Sequence, residues 1–522
     1  MSRRAVQQFE SWAFRLDAGD GNNVLMLRFS PNANLAHLVH WFEWEEDAFR
    51  KANQQDKPVM LFLSAFWCGY CQRMDEGAFS DRENMALLNA YFVALRVENA
   101  TRPDIDARYN LNGWPTIAFF TPGGELHAVA NYLPADEFKD LLLNVYMSYQ
   151  QQRDRAKSKA AGNEIVATHA RPKRSYAEIL DEITVSIMTQ ADRVHGGFGR
   201  GQKFIHSDAN DFLLSRYEIT QEVAYLEHVR RTLAGMRDGQ IHDDKDGGYF
   251  RTTTGSDWSQ PHREKLLSEQ AGLLSNCLSA FGVTGAREYA RMADEIIGYL
   301  DAKLFDAGRG AFFGCEDFLR RETGGSSSAD ELFSITDKCI YTDANALAAS
   351  AHLKAATLLN RPECKERALN ILDFLWNHCR TRTQGLFHYH DGAPRVPGLL
   401  NDQAQMGIAL VQAHFASGDS KYVDRALESA ELIIERLTNA AGGYFDLVPD
   451  QTGLRRFQLT DVDQNGAAAS FFLSLAQAAD DTKYRESARW ALDAFDGDFS
   501  AGGVQAARFG RALIEYLSLF GN

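Results

Sequence analysis

The sequence predicts a multidomain protein, an α/β domain followed by an all-α domain, and three observations carry that prediction. Between Trp41 and Tyr149, short apolar strands alternate with amphipathic helices. Beyond residue 175, Ala- and Leu-rich stretches place their apolar residues at 3.6-residue spacing almost throughout. A glycine–aromatic turn punctuates those stretches five times, at Gly196-Gly197-Phe198, Gly247-Gly248-Tyr249, Gly310-Ala311-Phe312, Gly385-Leu386-Phe387 and Gly442-Gly443-Tyr444, with Gly502-Gly503-Val504 as a weaker sixth.

In the first domain the elements follow in order. Glu45 to Asn53 reads as a helix and Pro58 to Ala65 as a buried strand. Cys68 to Ala90 reads as one long helix opened by Trp67-Cys68-Gly69-Tyr70-Cys71, and Phe92 to Val97 as a second strand. After the turn Gly113-Trp114-Pro115-Thr116 come the strand Ile117 to Phe120, a hairpin turn at Pro122-Gly123-Gly124, the strand Leu126 to Ala130 and the helix Asp136 to Tyr149. This is the element order of a thioredoxin-like domain, assigned to residues 1–150. Residues 151–175 are polar and charged and read as a linker.

From 176 to 522 the turns recur at spacings of 51, 63, 75, 57 and 60 residues, each enough for two helices and their loops at ~1.5 Å rise per residue. Six hairpins fit a closed (α/α)6 toroid, and an open solenoid is the alternative. Thr284-Gly285-Ala286, Ser417-Gly418-Asp419 and Asp480-Asp481-Thr482 each place cap-forming residues ahead of a new helix.

Composition narrows the function. A net charge of −15 leaves no contiguous basic face for nucleic acid, and the basic cluster Arg171 to Arg174 fits a solvated linker. No apolar run approaches the length of a membrane span. The start, Met1 to Phe14, lacks the apolar core of a secretion signal, and seven cysteines are too few and too odd in number for a disulfide framework, so a cytoplasmic location is expected.

The cysteine pair is the clearest chemical signal. Lying between a buried strand and a helix, Cys68 takes the helix N-terminus, where amide dipoles stabilise a thiolate, and Cys71 one turn on serves as resolving thiol. A zinc site would need two further ligands that this half lacks, so no metal and no cofactor is expected, and a purely structural pair is the alternative. Trp114-Pro115 fits a cis-proline turn beside the cysteines, with Trp67, Tyr70, Trp114 and Pro115 on the substrate side. The buried acid that thioredoxins carry six residues before the first cysteine is replaced by Phe62.

Arg102-Pro103-Asp104-Ile105-Asp106-Ala107-Arg108-Tyr109, Gly113-Trp114-Pro115, Lys203-Phe204, Trp258, Pro261-His262-Arg263-Glu264-Lys265, Asp337-Lys338, Asn345 and Asn465-Gly466 together resemble the spermatogenesis-associated thioredoxin-like proteins and their bacterial relatives. The resemblance implies a thioredoxin-like domain fused to a toroid of the kind shared with N-acylglucosamine 2-epimerases and several glycoside hydrolases. Two departures stand out. The family's T-C-H-W-C-H motif has lost both histidines here, and in the toroid Thr342-Asp343-Ala344-Asn345 and Val462-Asp463-Gln464-Asn465-Gly466 replace the usual tryptophan- and serine-containing strings.

At the hairpin openings of the toroid gather His206, Asp208, His242, Asp243, Asp244, Asp246, His262, Glu264, Glu269, Asp343, His388, His390, Asp402, Asp461 and Asp463. Among them His262, Glu264, Asp246, Asp343, Asp402 and Asp463 are the candidates for acid–base work on a small ligand. Asp343, Asp402 and Asp463, each taken alone, read first as helix N-terminal residues that stabilise amide ends, and Trp258, Tyr249 and Tyr389 as core wedges ahead of sugar-stacking rings. The expectation is a thiol–disulfide oxidoreductase or redox-sensitive protein acting on a protein disulfide or small ligand. The alternatives are a carbohydrate-active enzyme, epimerase-like or hydrolase-like, with an accessory thioredoxin-like domain, and a non-catalytic scaffold.

Overall fold

The apolar run Val59–Ser64 is buried at every position, as a strand is when both faces of its sheet are covered. The computed structural model describes residues 28–156, 174–321, 331–448 and 458–521, with backbone alone for 153–156, 319–321 and 331–332. Residues 1–27, most of the 151–175 stretch, 322–330, 449–457 and 522 lie outside it. The chain divides into two units, Met1–His169 and Ala170–Asn522.

The first unit holds one five-stranded sheet of β1 (Trp41–Phe42), β2 (Val59–Ser64), β3 (Val93–Glu98), β4 (Thr116–Phe120) and β5 (Leu126–Ala130), in the order β1-β3-β2-β4-β5. β3 runs parallel to β1 and β2, while β4 is antiparallel to β2 and β5. The period-two alternation of β2 sorts its side chains. Met60 and Phe62 join Cys71, Met74, Phe79 and Phe138 on one face, and Leu61 and Leu63 join Trp44, Phe49 and Ile105 on the other. The helices are α1 (Glu46–Gln55), α2 (Gly69–Glu76), α3 (Arg82–Tyr91), α4 (Pro103–Tyr109) and α5 (Ala135–Ala156).

The single helix expected from Cys68 to Ala90 is two. α2 stops at Gly77, and the Asp81 carboxylate caps a new start by accepting from the Glu83 and Asn84 amides, each at 3.0 Å. A local cap thus overrides a continuous apolar period. α5 in turn runs to Ala156, past the expected boundary at 150.

The second unit contains α6 (Tyr176–Gln190), α7 (Ser207–Thr220), α8 (Val223–Asp238), α9 (Leu267–Thr284), α10 (Arg287–Tyr299), α11 (Thr342–Leu358), α12 (Pro362–His378), α13 (Leu400–Ser417), α14 (Ser420–Arg436), α15 (Val462–Ala479), α16 (Thr482–Asp493) and α17 (Ala507–Phe520). The odd-numbered helices from α7 to α17 form the inner ring, each packing on the next, and α17 returns to α7. The ring is therefore a closed (α/α)6 toroid. Its sixth hairpin joins the two ends of the unit, α17 against α6. Inner-to-outer turns are short and capped, with Gly285 and Gly418 in the left-handed region and Asp419 and Asp481 accepting from backbone amides. Outer-to-inner connections carry the glycine–aromatic turns and, unlike the all-helical reading, short strands such as Lys203–Phe204, Pro261–His262 and Gly385–His390.

Two devices hold those turns. An amide in the first turn of each of four inner helices bonds both the backbone N–H and C=O of one turn residue: Gln270 with Tyr249 (3.0 and 2.6 Å), Asn345 with Phe312 (2.8 and 2.9 Å), Gln403 with Leu386 (3.1 and 3.1 Å) and Asn465 with Tyr444 (2.8 and 2.9 Å). Two wholly buried lysines tie the first two turns. Lys203 Nζ bonds Asp192 Oδ2 and the Gly199 carbonyl, both at 2.7 Å, while Lys265 Nζ bonds Asp243 Oδ2 at 2.6 Å and the Gly247 carbonyl at 2.7 Å. Glycine is required where the turn meets a helix: a Cβ on Gly196 would lie 2.6 Å from the Thr232 backbone.

Asn465→Leu removes both bonds to Tyr444 and leaves a buried N–H and C=O unpaired. The expected cost is about 3 kcal/mol, read as a lower urea midpoint for the ring.

Candidate functional site

In the first unit the candidate site is the end of β2. Cys68 is the N-cap of α2, and its Sγ accepts the Cys71 backbone N–H at 3.0 Å. Cys68 and Cys71 form a disulfide with Cα atoms 5.2 Å apart, and both are buried. Glu98, at the end of β3, accepts the Phe66 N–H at 3.2 Å and so pins the loop that delivers Cys68. Trp114-Pro115 is a cis peptide bond. Among the described residues no hydrogen bond engages the Trp114 backbone N–H or carbonyl. The Trp67 and Trp114 rings meet edge-on at 5.0 Å, the Tyr70 and Tyr132 rings lie 5.2 Å apart, and Tyr70 is exposed.

Phe62 packs against Trp41 and Phe79. Buried charge sits instead on Asp75, one turn beyond Cys71, which both Arg96 terminal nitrogens grip at 2.8 and 2.9 Å and the Ser30 N–H at 2.8 Å. Sequence reasoning missed this pair because its halves are distant in sequence and only the parallel pairing of β3 with β2 brings them together.

In the second unit the inner helices open with Asp208 (α7), Glu269 (α9), Asp343 (α11), Asp402 (α13), Asp463 (α15) and Arg508 (α17) in their first turns. Arg508 ties three of these helices together, at 3.2 Å to Asp208, 2.9 Å to Asp463 and 3.3 Å to Asn401 Oδ1, and Asn401 donates to Asp343 at 3.0 Å. His388 Nδ1 lies 3.0 and 3.1 Å from the two oxygens of wholly buried Asp402. Glu264 is buried and bound by Arg251 at 2.7 Å. Near this pair stands Asp317, whose Oδ2 is buried with no hydrogen-bond partner among the described residues.

Asp343, Asp402 and Asp463 do not cap their helices, whose N-caps are Tyr341, Leu399 and Asp461. His262 is exposed, Asp246 is bound to Lys303 at 2.9 Å, and His242 lies 3.0 Å from Asp244. His206 is half-buried among Phe198 and Phe204, and His390 packs on Phe374. Trp258 and Tyr249 are core wedges, wholly or almost wholly buried, while Tyr389 stays half-buried beside Tyr341 and His388. Arg508, Arg251, Asn401 and Asp317 went unnoticed in the sequence. Aligning the first turns of the inner helices would have exposed Arg508 as the one cation in a series of acids.

Asp343, His388 and Asp402 bring three donor atoms within 4.8 Å of one another, a set able to hold a divalent cation. A separate cavity of about 320 Å³ beside α8, lined by His195, Arg231, Asp238, Asp257 and Trp258, shares none of these residues.

Burial pushes Asp402 up to about 6 against the pull of His388, Asp463 up to about 6 against Arg508, and Glu269 up to about 7 against Arg251. Burial also opposes ionisation of Asp208, but Arg508 and Arg511 outweigh it and hold that carboxyl below the usual range. Raised folded values mean that the fold binds these protons more tightly than the unfolded chain does. The stability so gained is complete below pH ~4 and is lost as pH rises through 6 to 7. The ring is thus expected to melt a few degrees lower at pH 8 than at pH 5.5. Asp402→Asn, neutral at both, should narrow that gap, and equal melting in the wild type would contradict the assignment.

A family model, Thioredox_DsbH, described as a protein of unknown function (DUF255), matches residues 25–167. An uncharacterized protein of Caenorhabditis elegans, B0495.5, is 30% identical over 263 residues, covering 45% of this chain and 35% of its own. Human spermatogenesis-associated protein 20 is 27% identical over 305 residues, covering 53% and 39%. The matched stretches thus span well under half of those relatives. Thiol:disulfide interchange protein DsbD of Yersinia pestis is 34% identical over 148 residues, covering 27% of this chain and 23% of its own. Among solved structures, the cellobiose 2-epimerase of Bacillus thermoamylovorans B4167 aligns with a TM-score of 0.54 at 11% identity, over 66% of this chain and 99% of its own. A sugar epimerase from a ruminal bacterium aligns with a TM-score of 0.54 at 14% identity, over 66% and 99%. At such identities the likeness is one of fold. Among the described residues no helix is long and apolar enough to cross a membrane. These matches make the chain similar to spermatogenesis-associated protein 20 over about half its own length, and its two units have the folds of a thioredoxin-like domain and an (α/α)6 toroid.

Proposed function

We propose that this protein exchanges thiols and disulfides through Cys68 and Cys71. The observation that carries the reading is the cysteine pair at the start of α2, with a backbone N–H on the Cys68 sulfur and an unpaired Trp114 backbone next to Pro115. The likeness of a 148-residue stretch of the chain to the thiol:disulfide interchange protein DsbD supports it. In the reduced protein the Cys68 thiolate attacks one sulfur of a substrate disulfide, forming a mixed disulfide and releasing the other sulfur as a thiolate that takes up a proton. Cys71, having lost its proton, then attacks Cys68 Sγ, which releases the second substrate thiolate and leaves Cys68–Cys71 oxidised. Two electrons pass to the substrate, and the same steps reversed oxidise a dithiol. The Trp114 backbone offers a strand-like edge on which an extended substrate peptide can pair.

The test is to reduce the purified protein, mix it with a cystine peptide and follow peptide thiol release. Reduction of the peptide together with formation of Cys68–Cys71 supports the reading, and a reduced protein inert to every disulfide offered would end it. A cytoplasmic setting belongs to the same proposal, supported by Cys277, Cys364 and Cys379, which are buried thiols outside any disulfide.

A second reading concerns the ring, and the His388–Asp402 pair favours it. A buried carboxylate that orients an imidazole, with the Asp343 carboxylate beside them, suits proton transfer to and from a small polyhydroxylated ligand. Asp343, Asp463 and Glu264 would then contact or frame the ligand. Incorporation of deuterium from solvent into reducing sugars, absent in His388→Ala, tests it.

A further inference from the structure

The string Arg102 to Tyr109 is not demanded by helix or turn physics, and the exchange chemistry leaves it unexplained. Its parts divide cleanly. Arg102 grips Asp104 with two bonds of 2.9 and 2.7 Å and the Trp44 carbonyl with a third at 3.1 Å, which anchors the start of α4. Asp106 does something different. Its Oδ1 accepts the Trp114 indole N–H at 2.8 Å and the Asn110 side-chain amide at 3.0 Å.

The loop between them is tied at several points. Asn110 Oδ1 accepts the Gly113 N–H at 2.7 Å, Thr116 Oγ1 accepts the Leu111 N–H at 3.0 Å and donates to the Gly113 carbonyl at 2.8 Å, and Asn131 donates to the Pro115 carbonyl at 3.0 Å. The backbone on either side of Trp114 is thus held while its own N–H and carbonyl stay open, its ring is fixed by Asp106, and that ring stands edge-on against Trp67, the residue before Cys68. Tyr70, between the two cysteines, meets Tyr132 and is more than half exposed at 54%. Cys68 and Cys71 thus each follow directly on an aromatic ring paired with a ring from a second segment, Trp67 with Trp114 and Tyr70 with Tyr132. Rings fixed in this way add contact area without ordering cost when a partner ring arrives.

We infer that Asp106 is a positioning residue that fixes Trp114, and with it Trp67, as one wall of a subsite for an aromatic side chain adjoining the half-cystine of a peptide substrate. The inference rests on the exchange reading for its chemistry, but its own content is the selectivity.

Two cystine peptides test it, one flanked by phenylalanine and one by glutamate, with glutathione disulfide as the small probe. The wild type should show a KM ~5-fold lower for the phenylalanine peptide. Asp106→Leu should raise that KM ~5-fold while kcat and the rate with glutathione disulfide stay within about twofold. Asp106→Asn, which keeps an acceptor oxygen, should restore it. Trp114→Phe, which keeps a ring but loses the donor, should match the leucine variant in KM. Equal losses on peptide and glutathione disulfide, or an asparagine variant as poor as the leucine one, would overturn the proposal. If no disulfide is reduced at all, the exchange reading fails, and binding of the reduced phenylalanine peptide to the oxidised protein, followed by indole fluorescence, still decides this one. A Kd weakened ~5-fold in Asp106→Leu and recovered in Asp106→Asn supports the subsite, and an unchanged Kd refutes it.

Discussion

Cys68→Ser is expected to abolish disulfide exchange, lowering the rate with any disulfide by roughly a thousandfold or more, because a serine hydroxyl at this position is neither ionised nor a good nucleophile toward sulfur. Cys71→Ser should behave differently. Cys68 still opens the substrate disulfide, but no second thiol releases it, so the covalent mixed disulfide accumulates and is seen as a mass shift that a reductant removes. The asymmetry follows from the backbone, since Cys68 caps α2 and takes the Cys71 N–H on its sulfur while Cys71 lies within the first turn. Identical behaviour of the two serine variants would argue for a structural pair.

The second large effect belongs to the ring. Lys265→Met is expected to cost about 4 kcal/mol, the range for removing one partner of a buried ion pair. Lys265 is wholly buried between the Asp243 carboxylate and the Gly247 carbonyl, with the rings of Phe250, Tyr299 and Phe318 around its Nζ at 5.0, 4.7 and 5.5 Å. Burial pulls its ammonium below the usual lysine range against the pull of Asp243. Burial likewise opposes ionisation of Asp243, yet the Lys265 hydrogen bond and charge outweigh it and hold that carboxyl below its own usual range. Methionine refills the volume, so the loss is electrostatic. Lys265→Met combined with Asp243→Asn should recover part of it, which a double-variant cycle in urea measures. A loss under about 1 kcal/mol would show that water had replaced the lysine.

Several features were legible in the chain because they are local. The buried run Val59–Ser64, the strand–cysteine–helix junction, the proline turn at 115 and the glycine–aromatic punctuation each depend on neighbours a few residues away. The same locality explains why residues 68–90 read as one helix, since the cap at Asp81 is a single side chain against a long apolar period, while the short helix Pro103–Tyr109 is not anticipated. The strings that matched a family without a physical reason now have one in part. Asp106 holds Trp114, Lys265 ties a turn, and Asn345 and Asn465 clamp the backbone of Phe312 and Tyr444.

The sequence by itself therefore determined the two folds and the cysteine pair, because periodicity, turn chemistry and motif spacing are short-range properties. Only the tertiary structure decided that the ring closes by pairing its first helix with its last. It alone joined Arg508 to Asp208 and Asp463, 300 and 45 residues away, and set His388 on Asp402 while leaving His262 exposed. Those arrangements depend on which helix ends converge, a long-range property that no spacing along the chain encodes.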